Sequence, residues 1–308
     1  MTGPRGFIVA LFLLVVGGTA VLLGDIEEGK PSLSSVMEIW GDVLRDADRF
    51  GLQLTRVSAK KEMEIGREIA RTPMFQQAGD ETWTPYVTSV GKALTPYVRR
   101  KGINYTFQVI QSAKINAFAL PGGHIYITTG MLGFLQTEAE LAAILGHEIA
   151  HVDLRHCIER LQYQLALRNL GLGDIGLLVD VARILLTTGY NKYQEIEADT
   201  QGVRLSIQAG YDPDAATVVF KRLEERFGPK PYRKARTPVG EMAGVLGEAM
   251  VSYFRTHPYS AERARRLEAL VKRNHKRLSG QDFYVGRTNY DQKTSRDQKE
   301  FPDNSLRF

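Results

Sequence analysis

Two histidines and a glutamate within five residues, His147-Glu148-Ile149-Ala150-His151, carry the strongest chemical signal in the chain. On a helix His147 and His151 stand one turn apart on a single face, so both imidazoles can reach one ion at about 2.0–2.1 Å. Glu148 is offset by one position, beside such an ion and not on it. There it can take a proton from a water that the ion polarises. The spacing is useful only if the segment is helical. Thr137 and Glu140 predict a capping box at its start, and Leu141, Ile144, Leu145, Ile149 and Val152 recur at helical spacing. Gly146 lowers helix propensity by about 1 kcal/mol against alanine, which predicts a close neighbour there, expected to be a strand.

A catalytic zinc takes three protein ligands and keeps one position open, so a third ligand must come from elsewhere. The metzincin continuation would need a glycine at 154 and a histidine at 157, where the chain has Leu154 and Cys157. Cys157 reads instead as a buried helix residue. The better source is Tyr193-Gln-Glu195-Ile-Glu-Ala-Asp199-Thr-Gln-Gly202. By itself the Glu195 and Asp199 pair would read as two solvated helix carboxylates. Beside the first motif, Glu195 completes a His₂Glu set, and Asp199 accepts a hydrogen bond from the far nitrogen of a liganding histidine. Glu197 faces away from that pair and is the weaker ligand.

A metal-activated water that attacks a carbonyl also needs donors for the oxyanion that forms. His257, held extended by Pro258, and Arg263 are the candidates, with a helix-capping histidine as the alternative for His257. The strand-like Asn116-Ala117-Phe118-Ala119 can pair with an extended peptide, or it is a core strand with a polar residue at its turn. His124 follows a double glycine and gets no role. Neither do His156 and His275, both read as surface residues.

The elements that must position these groups are mostly helices. Ser32 can cap a helix carrying Val36, Ile39, Trp40 and Val43; another runs around Lys60–Arg71; and Thr82 can cap one carrying Tyr86, Val90, Leu94 and Tyr97. The period then shortens. Tyr105–Gln111 and His124–Thr128 alternate as strands, and Ile115–Leu120 runs between them into a Pro121-Gly-Gly turn. The expected fold is α+β and mainly helical, with a small, mostly antiparallel sheet packed on the active-site helix.

Outside that body, Phe7–Leu23 is uncharged and ends at Asp25, a length between a signal-peptide core and a full span. Leu170–Gly189 is apolar but holds Asp174, Asp180 and Arg183, so it is expected as a buried or peripheral helix. Gly228–Met250 reads as a long loop. The expected division is residues 1–24 as signal peptide or membrane anchor, 25–278 as the metal-binding domain, and 279–308 as a polar tail, extended or disordered.

A chain of 308 residues with 43% hydrophobic content is long enough for a sizeable core. A net charge of +5, from 40 basic and 35 acidic residues, argues against a nucleic-acid partner. The lone Cys157 excludes an intramolecular disulfide without fixing the compartment.

The chain resembles the HtpX-like and CAAX-prenyl-protease-like gluzincin metallopeptidases, including envelope members with one N-terminal apolar segment. The resemblance is carried by Glu62-Met-Glu-Ile-Gly66, Tyr86–Gly91, Ile115–Leu132, the histidine motif, Glu195–Asp199 and Thr256–Arg263. It implies a gluzincin fold, one bound Zn²⁺ per chain, and endoproteolysis of unfolded or misfolded proteins in envelope quality control. The expected location is the extracytoplasmic side of a membrane, anchored or secreted. The additional spans of HtpX-like membrane forms find no convincing counterpart here.

Overall fold

The structure, a computed structural model, describes residues 57–75, 80–167, 189–227, 253–258, 260–278, 280–294, 296 and 305–307. The N-terminal apolar run, the helix expected from Ser32, the apolar stretch 170–188 and the loop 228–250 lie outside them.

Two helices open the described part. Helix α1 (Ala59–Ala70) is capped by Ser58, whose hydroxyl accepts from Lys61 N at 3.2 Å. Helix α2 (Trp83–Leu94) starts differently from expectation, because Thr82 makes no side-chain cap. Asp80 Oδ1 accepts from both Thr82 N and Trp83 N, at 3.0 and 2.8 Å, so the carboxylate two residues upstream is the cap.

The sheet contains β1 (Thr106–Ile110), β2 (Ala117–Leu120) and β3 (His124–Thr128), in the order β1-β3-β2. The Pro121–Gly123 turn, with Gly122 and Gly123 at φ +81° and +96°, reverses the chain at once and makes β2 and β3 antiparallel. Two reversals separate β1 from β3, so this pair is parallel, with Thr106 opposite His124. The sheet is therefore mixed, not mostly antiparallel.

After a short helix α3 (Thr129–Phe134), α4 (Glu138–Asp153) carries the histidine motif and packs on β2. Every residue of α4 is buried, so it is enclosed on all sides and is not a one-face helix. Half of its capping box forms. Thr137 accepts from Glu140 N at 3.1 Å, while Glu140 reaches to Gln136 N and to Arg222.

Next come α5 (His156–Leu167), α6 (Lys192–Gln208), α7 (Asp214–Phe227), the single turn α8 (Tyr253–Thr256) and α9 (Ala261–Arg277). Helix α6 begins at a full capping box of Asn191 and Gln194. It crosses α4 where two glycines meet. A Cβ on Gly202 would lie 2.9 Å from His147 N, and one on Gly146 would lie 3.0 Å from Gly202 O. The close neighbour of Gly146 is thus a helix, not a strand.

The segment after Ser279 is not simply an extended tail. Strand β4 (Asp282–Tyr284) pairs antiparallel with β5 (Ser305–Arg307), and α10 (Arg287–Gln292) follows β4. Phe283, Tyr284 and Tyr290 are buried, and Tyr290 Oη donates to Leu132 O at 2.6 Å. Gly286 O and Val285 O accept from Glu138 N and Ala139 N, so this segment satisfies free amides at the start of α4. Aromatic anchors spaced among polar residues produce the docking without any helical or strand period. Among the described residues no helix is long and apolar enough to cross a membrane.

Candidate active site

Helix α4 brings His147 Nε2 to 3.0 Å from His151 Nε2, as the four-residue spacing requires. Helix α6, locked to α4 by the glycine crossing, delivers Glu195 to the same point. Its Oε1 lies 3.4 Å from His151 Nε2, and its Oε2 lies 3.6 Å from His147 Nε2. Asp199, one turn further along α6, places Oδ1 3.0 Å from His147 Nδ1. This is the geometry expected of a carboxylate that holds the far nitrogen of a ligand.

The two residues expected at an oxyanion lie behind and within this cluster. Arg263 of α9 is buried behind Glu195 and Asp199. Its Nε and Nη2 reach Asp199 at 2.6 and 2.9 Å, and its Nη1 reaches Glu195 Oε2 at 2.5 Å and Pro258 O at 3.4 Å. With these nitrogens engaged, the guanidinium orients two carboxylates, a bracing contact that the expected oxyanion role did not include. His257 is fully buried inside the cluster. Its Nδ1 is 3.0 Å from Glu195 Oε1 and 3.2 Å from His147 Nε2, and its Nε2 is 3.3 Å from Glu148 Oε1. The capping alternative fails, since Ser260 caps α9.

Donor atoms of His147, His151, Glu195 and His257 all lie within 4.8 Å of one another. Both oxygens of Glu148 are buried without a hydrogen-bond partner, beside His257 Nε2, which also lacks one. Nitrogen and carboxylate donors converging in this number fit a tetrahedral divalent cation such as zinc. Orphaned buried carboxylate oxygens are costly unless a further group meets them.

The electrostatics follow from burial and charge. Burial would lower the pKa of His147, but Asp199 and Glu195 outweigh it and hold the pKa at about 9. Burial drives His151 well below the usual imidazole range despite Glu195. Burial works to raise Glu195, yet Arg263, His257 and the hydrogen bonds from His147 and His151 leave it well below the usual carboxylate range. Glu195 is therefore an anion available as a ligand.

Ala117, Phe118 and Ala119 lie on β2, an edge strand of the sheet that packs on α4, and Asn116 immediately precedes it. Asn116 N and O are tied to Thr128, and its Oδ1 is buried without a partner. His124 stays out of the site, with Nδ1 2.9 Å from Thr106 Oγ1. Cys157 is buried as expected, and burial pushes its thiol up to about 12.

Sequence reasoning missed three aromatic rings. Tyr190 stacks on His151 at 3.6 Å between centroids, and Tyr253 stacks on His257 at 4.5 Å. His156, expected at the surface, is buried with Nδ1 3.1 Å from His151 Nδ1. The apolar Cys157-Ile158 that follows it, with Leu161, was the available signal that this stretch turns inward. Nothing linear connects Tyr190 or Tyr253 to the motif.

The family model described as peptidase family M48 matches residues 82–271. The chain is 32% identical to the mitochondrial metalloendopeptidase OMA1 of Arabidopsis thaliana, over 50% of this chain and 34% of that protein. It is 30% identical to the protein of the same name from Schizosaccharomyces pombe, over 60% of this chain and 52% of that one. It is 26% identical to the beta-barrel assembly-enhancing protease of Escherichia coli O157:H7, over 57% of this chain and 40% of that protein. The alignments thus span about a third to a half of these relatives' length.

Proposed function

Because the chain belongs to peptidase family M48, we propose that it is a zinc-dependent endopeptidase with its metal on His147, His151 and Glu195 and its hydrolytic water activated by Glu148. The observation that carries the reading is the convergence of those three donors beside a buried Glu148 carboxylate whose oxygens make no hydrogen bond. Zinc, when bound, supplies Lewis acidity that acidifies water and polarises a peptide carbonyl.

The remaining chemistry belongs to the chain. Glu148 takes the proton from the attacking water and passes it to the departing amine. Asp199 accepts from His147 Nδ1 and so aims Nε2 at the cluster. Arg263 balances the charge of Glu195 and Asp199 and keeps both from turning away. The buried walls exclude bulk water, which strengthens each of these interactions. Strand β2 offers its outer edge to an extended substrate backbone, with the Asn116 side chain as a further contact.

His257 supports a second, latent arrangement of the same site. Within 3.0 Å of Glu195 and 3.2 Å of His147, it stands as a fourth donor where a substrate carbonyl would have to enter. Displaced to the rim of the site, it becomes the donor to the oxyanion.

The substrates are unfolded or misfolded proteins, and the setting is quality control in the cell envelope. The extracytoplasmic location is supported by the uncharged Phe7–Leu23 run and by the similarity to a beta-barrel assembly-enhancing protease of Escherichia coli. The test is Glu148→Gln. It should abolish cleavage of unfolded protein while one zinc per chain is retained, and a chelator should abolish parental activity until zinc is restored. Loss of metal together with activity in the variant would show that Glu148 is a ligand and not the base.

A further inference from the structure

Behind His151 two more residues stand in a row. His151 Nδ1 lies 3.1 Å from His156 Nδ1, and His156 Nε2 lies 3.3 Å from Glu197 Oε2. His151 is fully buried, His156 is 2% exposed and the Glu197 side chain is 44% exposed, so the row runs from the cluster to the surface. We infer that His156 is a positioning residue that fixes the tautomer of His151, and that Glu197 fixes the tautomer of His156. The inference rests on the reading of His151 as a zinc ligand.

The direction of the row follows from proton counting. A carboxylate only accepts, so His156 Nε2 carries a proton and donates it to Glu197. A neutral His156 ring then has a bare Nδ1, which accepts from His151 Nδ1–H. That places the single proton of a neutral His151 on Nδ1 and leaves Nε2 with its lone pair free. His151 Nε2 is the nitrogen that faces His147 and Glu195. The opposite polarity would put a proton on Nε2, pointing into the cluster and blocking it as a ligand. His147 obtains the same service from Asp199 directly. The two ligand histidines are thus oriented by different chemistry, a carboxylate for one and an imidazole for the other.

The backbone is shaped for this contact. On a continuous helix a residue five positions past His151 would point to a different face. Helix α4 instead ends at Leu154, and Arg155 adopts φ +70°, a left-handed conformation that is sterically unfavourable for a non-glycine residue. The break starts α5 anew and brings His156 back beside His151. Arg155 is held in that conformation through its side chain, which donates to Val57 O at 2.8 Å and lies 3.7 Å from the buried Glu62. Tyr190, stacked on the His151 ring with its hydroxyl 3.3 Å from Cys157 Sγ, fixes the plane of the imidazole.

The test measures Zn²⁺ affinity of the full-length protein by competition with a chromophoric chelator, alongside the melting temperature of the metal-stripped form. His156→Phe keeps a ring and removes both nitrogens. His156→Asn places an acceptor oxygen close to where Nδ1 lies. The expected result is a zinc affinity about 10–100-fold lower in His156→Phe, with the metal-free melting temperature near that of the parent, and recovery of most of the affinity in His156→Asn. Glu197→Met, one link further out, should lower affinity by a smaller factor. Parental affinity in His156→Phe would overturn the inference. So would an Asn variant as weak as the Phe variant, since packing and not hydrogen bonding would then matter. A parent that binds no zinc would overturn the zinc reading itself, and that outcome is visible before any variant is made.

Discussion

His257 is the side chain whose role changes most once its neighbours are known. Pro258 restricts its backbone and Tyr253 stacks on its ring, so the imidazole is held between Glu148 and the donors proposed to bind the metal. Replacing it by alanine separates its possible roles. If His257 serves mainly as an oxyanion donor, His257→Ala lowers kcat and kcat/KM together by about 10²–10³ with zinc content unchanged. The distances to Glu195 and His147 favour the other outcome, a variant that keeps its zinc and cleaves unfolded protein faster than the parent, because a competing fourth donor is gone. Steady-state kinetics and metal analysis on this variant decide between the two. An unchanged rate would remove His257 from the reaction in either role.

Among the elements, the α4–α6 crossing sets the precision of the site, because one helix carries two of the proposed ligands and the other carries the third. Gly202 lies against His147 N, Gly146 C and His147 Cα, all backbone atoms that cannot turn aside. Gly202→Ala therefore forces the helices apart by a few tenths of an ångström. The helix-propensity gain of about 1 kcal/mol is opposed by an overpacking loss of about 1–3 kcal/mol. The net expectation is a lower melting temperature together with weaker zinc binding, read by thermal unfolding and by metal titration. A more stable variant with parental affinity would mean that the crossing has slack. The tail segment acts at the same scale. Its carbonyls at 285 and 286 accept the first amides of α4, and its Tyr290 ties to Leu132, so residues far along the chain help to hold the start of the catalytic helix.

At the scale of the whole molecule, the N-terminal apolar run carries the proposal about placement. Seventeen uncharged residues from Phe7 to Leu23 predict membrane association that resists high salt and yields to detergent, unless processing removes the run. Fractionation of cells expressing the full chain checks this. Full-length protein in the soluble cytosolic fraction would overturn the anchor and the export readings together.

What the sequence determined alone was whatever depends on spacing along one element. The histidines at i and i+4 had to share a helical face, Glu195 and Asp199 likewise, and the strands on either side of Pro121-Gly-Gly had to reverse. What only the tertiary structure decided was everything that depends on which faces meet. The neighbour of Gly146 proved to be a helix. Arg263 proved to be a brace between carboxylates, and His156 a buried partner of His151. The reason is physical. Periodicity reports the direction of a side chain about its own helix or strand, whereas hydrogen-bond partners and burial are set by residues tens of positions away. Their approach is fixed by packing, such as the glycine crossing and the left-handed turn at Arg155, and packing leaves no local period to read.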